Sequence, residues 1–109
     1  MGKLLHDGQG KEYVAVTKKD LDFSFRYYDD EDGLSTYPCT FSIDELVTTC
    51  VNHMIVQTLP SNIWYIVREV LVAYDTHGEK YLLLRTELAG IPCERLDFAI
   101  PYDDYIFVG

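Results

Sequence analysis

The fold of this chain is decided by the stretch YIVREVLVAYDTHGEKYLLLRTEL, residues 65–88. β-branched and aromatic residues dominate its first eight positions, which predicts a strand from Tyr65 to Asp75. The residues at 75–78 form a hairpin-loop signal, and 80–88 is the returning strand. The preceding residues 61–64 fit either the start of a helix or a short turn, and the strand character that follows favours the turn.

Both strands of this hairpin are apolar on both faces, at residues 70–73 and 82–84. Strands of this kind are typically buried on both sides. A single helix covers only one side of a sheet. The second face therefore needs the N-terminal strands, a second copy of the protein or a partner to cover it.

Further strands are predicted outside the hairpin. LDFSFRYY, at 21–28, is the clearest period-two segment, with Phe23 and Phe25 on one face. Pro38 restricts the segment around it to a short or edge strand. The predicted strands beyond the hairpin are 11–17, 21–28, 34–41, 95–100 and 105–108.

One amphipathic helix is predicted, from about 43 to 57. Ser42 and Glu45 form a capping-box pattern, in which each side chain satisfies a backbone donor of the first turn. Pro60 marks the limit of the helix. The apolar stripe that follows the helical spacing consists of Ile43, Leu46, Val47, Cys50, Val51, Met54 and Ile55. Leu46, Cys50 and Met54 are expected to be its most buried positions.

These elements predict the α+β class, in one domain over 1–109. An antiparallel β-sheet, made of the N-terminal strands and a C-terminal meander, packs against the amphipathic helix at about 43–57. The length of 109 residues and an apolar content of 48% suffice for one core.

Charge is the main functional signal. The chain has 18 acidic against 9 basic residues, a formal net charge of −9. Phosphates would repel such a chain, which argues against direct nucleic-acid binding. Acidic runs flanked by tyrosines predict a surface that binds a basic partner. The predicted partner-binding residues are Tyr27, Tyr28, Asp29, Asp30, Glu31, Asp32, Tyr102, Asp103, Asp104 and Tyr105.

Catalytic and metal-binding patterns lack support. The sequence has no phosphate loop, no GxGxxG and no GxSxG. Cys50 and His53 lie three apart on the predicted helix, but a structural zinc site needs four ligands. Three scattered cysteines indicate free thiols that pack as small hydrophobic groups. The expectation is a non-enzymatic protein that requires no cofactor or metal.

The sequence therefore predicts an acidic inhibitor or interaction protein. It would imitate nucleic acid and block the groove of a basic nucleic-acid-binding protein. A host defence nuclease fits, as for anti-CRISPR or antirestriction inhibitors of phages and mobile elements. The expected location is the cytoplasm, in the host cell if a phage encodes it, with no membrane segment. The alternative is a small dimeric structural or ligand-binding domain that uses its two-faced apolar strands as the interface.

Overall fold

A computed structural model describes residues 2–29, 33–34 and 39–108 of the chain, and 63% of the described residues lie in strands. The strands are β1 (Lys3–His6), β2 (Glu12–Ala15), β3 (Asp22–Asp29), β4 (Gly33–Leu34), β5 (Cys39–Ser42), β6 (Met54–Leu59), β7 (Trp64–Tyr74), β8 (Lys80–Leu88), β9 (Ile91–Pro101) and β10 (Tyr105–Val108). Between β5 and β6 lie a short helix, α1 (Ile43–Glu45), and a π-helical turn, Leu46–Cys50.

The long hairpin β7–β8 is the centre of the main sheet, as its sequence predicts. One edge of β7 pairs with β8, which pairs in turn with β9. The other edge of β7 is shared by β6 near its start and by β1 at its end. β3 extends the sheet beyond β6, and β2 extends it beyond β1. All these strand pairs are antiparallel.

One part of the main sheet closes on itself, because the chain just after β2 meets β9. A parallel bridge joins Val16, just after β2, to Phe98 of β9. Its backbone hydrogen bonds run from Val16 N to the Asp97 carbonyl oxygen, at 2.8 Å, and from Ala99 N to the Val16 carbonyl oxygen, at 2.9 Å. The strands β1, β2, β9, β8 and β7 therefore form a closed ring.

Closure of the ring explains why β8 is apolar on both faces. Leu82 and Leu84 enter a large core with residues of β3, β6, β7, β9 and β10. Leu83 points to the opposite face and enters a second core with Leu5 of β1 and Tyr13 of β2. The N-terminal strands thus supply the second cover that the sequence required. This removes the observation that motivated the dimeric alternative.

The predicted α+β class is wrong, because the long amphipathic helix is absent from the described structure. The capping box is confirmed: Ser42 caps α1, and Glu45 returns the hydrogen bond to Ser42 N. The helical segment, however, ends at Cys50. Residues 54–59, the second half of the predicted helix, form the strand β6. The described chain is largely all-β.

The backbone at Asn52 and the pairing of β6 account for the early end of the helix. Asn52 has a positive φ of 71°, which is incompatible with a continuing right-handed helix. Its backbone N–H bonds to the Val67 carbonyl oxygen of β7 at 2.8 Å. β6 pairs with β3 on one edge and with β7 on the other. Met54 and Val56 of β6 pack in the large core, and Ile55, which alternates with them, is also buried. Met54 and Ile55 fit the helical spacing, but they are buried as parts of a strand.

The remaining strand predictions agree with the structure to different degrees: the strand predicted at 11–17 is the shorter β2, the one at 95–100 is the longer β9, and the one at 34–41 corresponds to parts of β4 and β5. β8 and β10 have the predicted bounds, and β3 differs by one residue at each end. Phe23 and Phe25 of β3 are buried in the large core, on one face as predicted. A turn at 60–61 precedes β7, which begins at Trp64. The turn interpretation of this segment is therefore correct.

Candidate functional site

The small two-stranded sheet β5–β10 presents an aromatic outer face. Ile106 and Val108 point inward and are buried in the large core. Tyr105 and Phe107 alternate with them and are 62% and 64% exposed. In register, Tyr105 lies opposite Ser42, and Phe107 lies opposite Thr40. Two large aromatic side chains are thus held side by side in solvent on one rigid strand.

Four carboxylates lie next to this aromatic face. The Asp104 carbonyl oxygen accepts a hydrogen bond from Ile43 N at 3.2 Å, which places Asp103 and Asp104 beside the start of α1. Asp44 and Glu45 are the exposed acids of α1. Glu45 Oε1 lies 3.0 Å from Ser42 Oγ, and Ser42 is the strand partner of Tyr105. We call this surface the acidic–aromatic patch; its members are Asp44, Glu45, Asp103, Asp104, Tyr105 and Phe107.

Three of the four arginines pair with acids outside the patch. Arg68, Arg85 and Arg95 form ion pairs with acids on β7, β8 and β9 around a small polar cleft, at N–O distances of 3.3 to 4.0 Å. Within the residues that the structure describes, the four carboxylates of the patch form no ion pair. The negative charge of the patch is therefore not neutralised by the described part of the chain.

The tyrosines predicted to contact a partner differ in exposure and packing. Tyr105 is exposed, as predicted. Tyr102 is half-buried, and Lys80 Nζ lies 3.9 Å from its ring centroid. Tyr27 packs against the large core, with its ring stacked on Phe41 at 5.8 Å and near His53 at 6.4 Å. Tyr27 therefore has packing contacts that account for its position.

The predicted run at the end of β3 is described only in part. Tyr28 lies opposite Leu34 and Asp29 opposite Gly33 in the β3–β4 pair. Asp30, Glu31 and Asp32 lie outside the described residues. Tyr27 nevertheless connects the end of β3 with the small sheet that carries the patch. Its ring stacks on Phe41 of β5, and the strand partner of Phe41 is Ile106 of β10.

Three members of the patch are absent from the predicted partner-binding residues: Asp44, Glu45 and Phe107. The sequence places Glu45 in the capping box and Phe107 in a strand. The alternation in Tyr105-Ile106-Phe107-Val108 carries the signal for the aromatic pair, because period two puts Tyr105 and Phe107 on one face. Proximity of 44–45 to 103–104 depends on the β5–β10 pairing, which no local pattern specifies.

Carboxylates with shifted pKa values lie in turns away from the patch. Asp7 and Asp75 each accept hydrogen bonds from two backbone N–H groups of their own turn. Desolvation raises the pKa of both carboxyls, but these hydrogen bonds outweigh it and hold the pKa below the usual 3.8. A hydrogen bond from Thr17 N lowers the pKa of Asp20 in the same way. These three groups stabilise turns.

Thiols and candidate metal ligands are dispersed in the described residues. Cys39 is half-buried and free, and Cys93 is free and exposed, so the expectation that the thiols pack as small hydrophobic groups is wrong for Cys93. No group of three potential metal ligands occurs within the ranges that the structure describes. His53, half of the conceivable zinc pair, stacks near Tyr27.

Comparison with known proteins finds no family model, no curated protein and no solved structure that matches this chain. None of the helices in the described residues has the length and apolar character needed to span a membrane.

Proposed function

We propose that this chain is a non-enzymatic acidic interaction protein that binds a basic, nucleic-acid-binding protein through the acidic–aromatic patch. The observation that carries this proposal is the exposure of Tyr105 and Phe107 beside four carboxylates without ion-pair partners in the described structure. Large exposed aromatic side chains are characteristic of interface centres. Flanking charge guides association and selects a partner of opposite sign.

A nucleic-acid groove is the kind of basic surface that this patch fits best. Closely spaced carboxylates imitate the charge density of a phosphate backbone, which is about one charge per 1.7 Å of duplex axis. A nuclease, or the complex of a host defence nuclease with its guide, provides such a groove. We propose inhibition of the anti-CRISPR or antirestriction type in a host cytoplasm, with Asp29, Asp30, Glu31 and Asp32 as further contacts.

Self-association through the same patch is less favourable. A symmetric dimer would place the same surface of each copy against the other. The carboxylates of one copy would then face those of its partner, and like charges repel. A basic partner meets no such penalty.

The test measures displacement of a labelled DNA duplex from purified nucleases, including a Cas9–guide complex and a type I restriction enzyme. The patch variant combines Asp44→Asn, Glu45→Gln, Asp103→Asn and Asp104→Asn; Gln at position 45 keeps the capping box. We expect at least about a tenfold loss of affinity at low salt, and a weaker salt dependence, since each exposed charge contributes modestly and salt screens it.

The matched control neutralises four exposed acids outside the patch: Glu12, Asp22, Glu79 and Glu94. It changes the net charge by the same amount, so it should retain most of the affinity. A third variant, Tyr105→Ser with Phe107→Ser, should weaken binding at all salt concentrations because it removes apolar contact. Equal losses for the patch and control quartets would contradict a defined binding surface, and failure to displace DNA from any nuclease would contradict the proposed partner class.

A further inference from the structure

A second surface of the molecule has the opposite character. The ring formed by β1, β2, β9, β8 and β7 opens at one end into a cleft of about 530 Å³. This volume lies in the range of small-molecule sites, about 300–1,000 Å³, and such sites often occupy the mouth of a closed sheet. The acidic–aromatic patch contributes no residue to this cleft.

The floor and wall of the cleft are apolar and belong to the inside of the ring. Ala99 is fully buried in the second core, and Tyr81 packs against that core. Pro101 lies opposite Tyr81 across the β8–β9 pair, so both residues are on the inner face. A flat apolar group can therefore lie against the Tyr81 ring and the Pro101 side chain.

The rim of the cleft is basic, although the chain as a whole is strongly acidic. Lys3, Lys18 and Lys19 line it, three of the nine basic residues in the sequence. Lys3 Nζ lies 5.2 Å from the Tyr81 ring centroid and 3.6 Å from Asp75 Oδ2, which fixes this ammonium group at the mouth. Lys18 and Lys19 are exposed in the turn between β2 and β3.

The acid that lines the cleft is already engaged. Asp20 Oδ2 accepts hydrogen bonds from Thr17 N at 3.0 Å and Thr17 Oγ1 at 3.1 Å. This carboxylate closes the turn that carries Lys18 and Lys19, and Lys18 Nζ lies 5.5 Å from the Phe23 ring centroid. Lys3 is paired with Asp75, so Lys18 and Lys19 against Asp20 leave the lining with a positive balance.

We infer that this cleft binds a small organic anion with a flat apolar body, of the class of aromatic carboxylates and sulfonates. The apolar body would pack on Tyr81 and Pro101, and the acid group would meet the lysine rim. Desolvation against the apolar wall strengthens the attraction between the ligand anion and the ammonium groups. This inference is independent of the proposed partner-binding function, because the two surfaces share no residue.

The test uses two fluorescent probes of similar shape, the anion 8-anilinonaphthalene-1-sulfonate and the uncharged N-phenyl-1-naphthylamine. We expect saturable, one-to-one binding of the anion to the intact protein. Amide shifts in NMR spectra should concentrate at residues 2–3, 17–20, 81 and 99–100. The uncharged probe should bind more weakly.

The charge contribution is tested with the double variant Lys18→Met and Lys19→Met, which alters only exposed turn positions. It should weaken anion binding about threefold to tenfold and leave binding of the uncharged probe unchanged. Lys11→Met is the matched control, since Lys11 is exposed and outside the cleft. Because this control carries one substitution and the test variant carries two, the single variant Lys19→Met is measured as well. The inference would be overturned if the anion did not bind saturably at probe concentrations up to millimolar, or if the amide shifts were centred elsewhere. It would also be overturned if Lys11→Met reduced the affinity for the anion as much as the lysine variants do.

Discussion

Leu46 shows how one side chain anchors a short helical segment. It is fully buried, although the segment around it contains only two irregular turns. Its neighbour Val47 is 46% exposed, so the two positions differ in burial but share the same local structure. The stability of this segment therefore comes from tertiary packing, since so short a helix is not stable alone.

We predict that Leu46→Ala lowers the free energy of unfolding by about 2–5 kcal/mol, the usual cost of truncating a core leucine. Val47→Ala should change it by less than about 0.5 kcal/mol, as exposed substitutions usually do. Urea denaturation of both variants measures the difference. Similar small effects at both positions would show that the segment is not docked on the core in solution.

Asp75 makes a pH-dependent contribution through its buried carboxylate. It accepts backbone hydrogen bonds from His77 and Glu79 and pairs with Lys3. Because its pKa lies below 3.8 in the folded protein, its contribution is complete above pH 3.8. The contribution is then lost as the pH falls through the lower, folded-state pKa.

We therefore predict that Asp75→Asn melts at a lower temperature than the parent protein near neutral pH. The difference in melting temperature should shrink as the pH drops below 3.8, where the parent carboxylate becomes protonated as well. Thermal melts across pH 2 to 7 compare the two proteins directly. A difference that stays constant over this range would assign the effect of the substitution to geometry alone.

The strand β8 is the element on which both cores depend. Leu83 is buried on the face covered by β1 and β2, and Leu84 on the face covered by β3 and β6. Leu4 of β1, by contrast, points outward and is 45% exposed. The two faces of one strand can therefore be tested separately.

We predict that Leu83→Ala and Leu84→Ala each cost about 2–5 kcal/mol of unfolding free energy, while Leu4→Ala costs much less. The melting temperature of the parent protein should not vary with its concentration, because the N-terminal strands already cover the second face. A strong concentration dependence, or a harmless Leu83→Ala, would instead support a cover supplied by a second copy.

Charge acts on the molecule as a whole. A net charge of −9 produces self-repulsion in the compact state, and salt screens it. The described ion pairs are mostly on the surface, where each contributes little. Repulsion is therefore expected to outweigh the attraction within pairs.

We predict that raising sodium chloride from low to moderate concentration increases the melting temperature. The control quartet at Glu12, Asp22, Glu79 and Glu94 removes four negative charges and should reduce this salt response. Calorimetry of both proteins over a salt series provides the measurement. A melting temperature that falls with added salt would mean that ion pairs dominate the electrostatic energy.

The sequence by itself determined the elements whose signals are local. Alternation defined β3, the hairpin loop and its flanking residues defined β7 and β8, and the Ser42–Glu45 pattern defined the start of the helix. The acidic excess, and with it the expectation of a basic partner, is likewise a property of composition.

Only the tertiary structure decided the features that depend on contacts between distant segments: the end of the helix, the closure of the ring and the assembly of the patch. The stripe at 43–55 satisfies a helical period, but residues 54–59 pair with β3 on one edge and with β7 on the other, and the helical segment ends at Cys50. Closure through Val16 and Phe98 covers the second face of β8 and creates the cleft. Pairing of β5 with β10 assembles the acidic–aromatic patch. In each case the energy of pairing between distant strands outweighs local propensity. A local sequence pattern carries no information about which distant strands will pair.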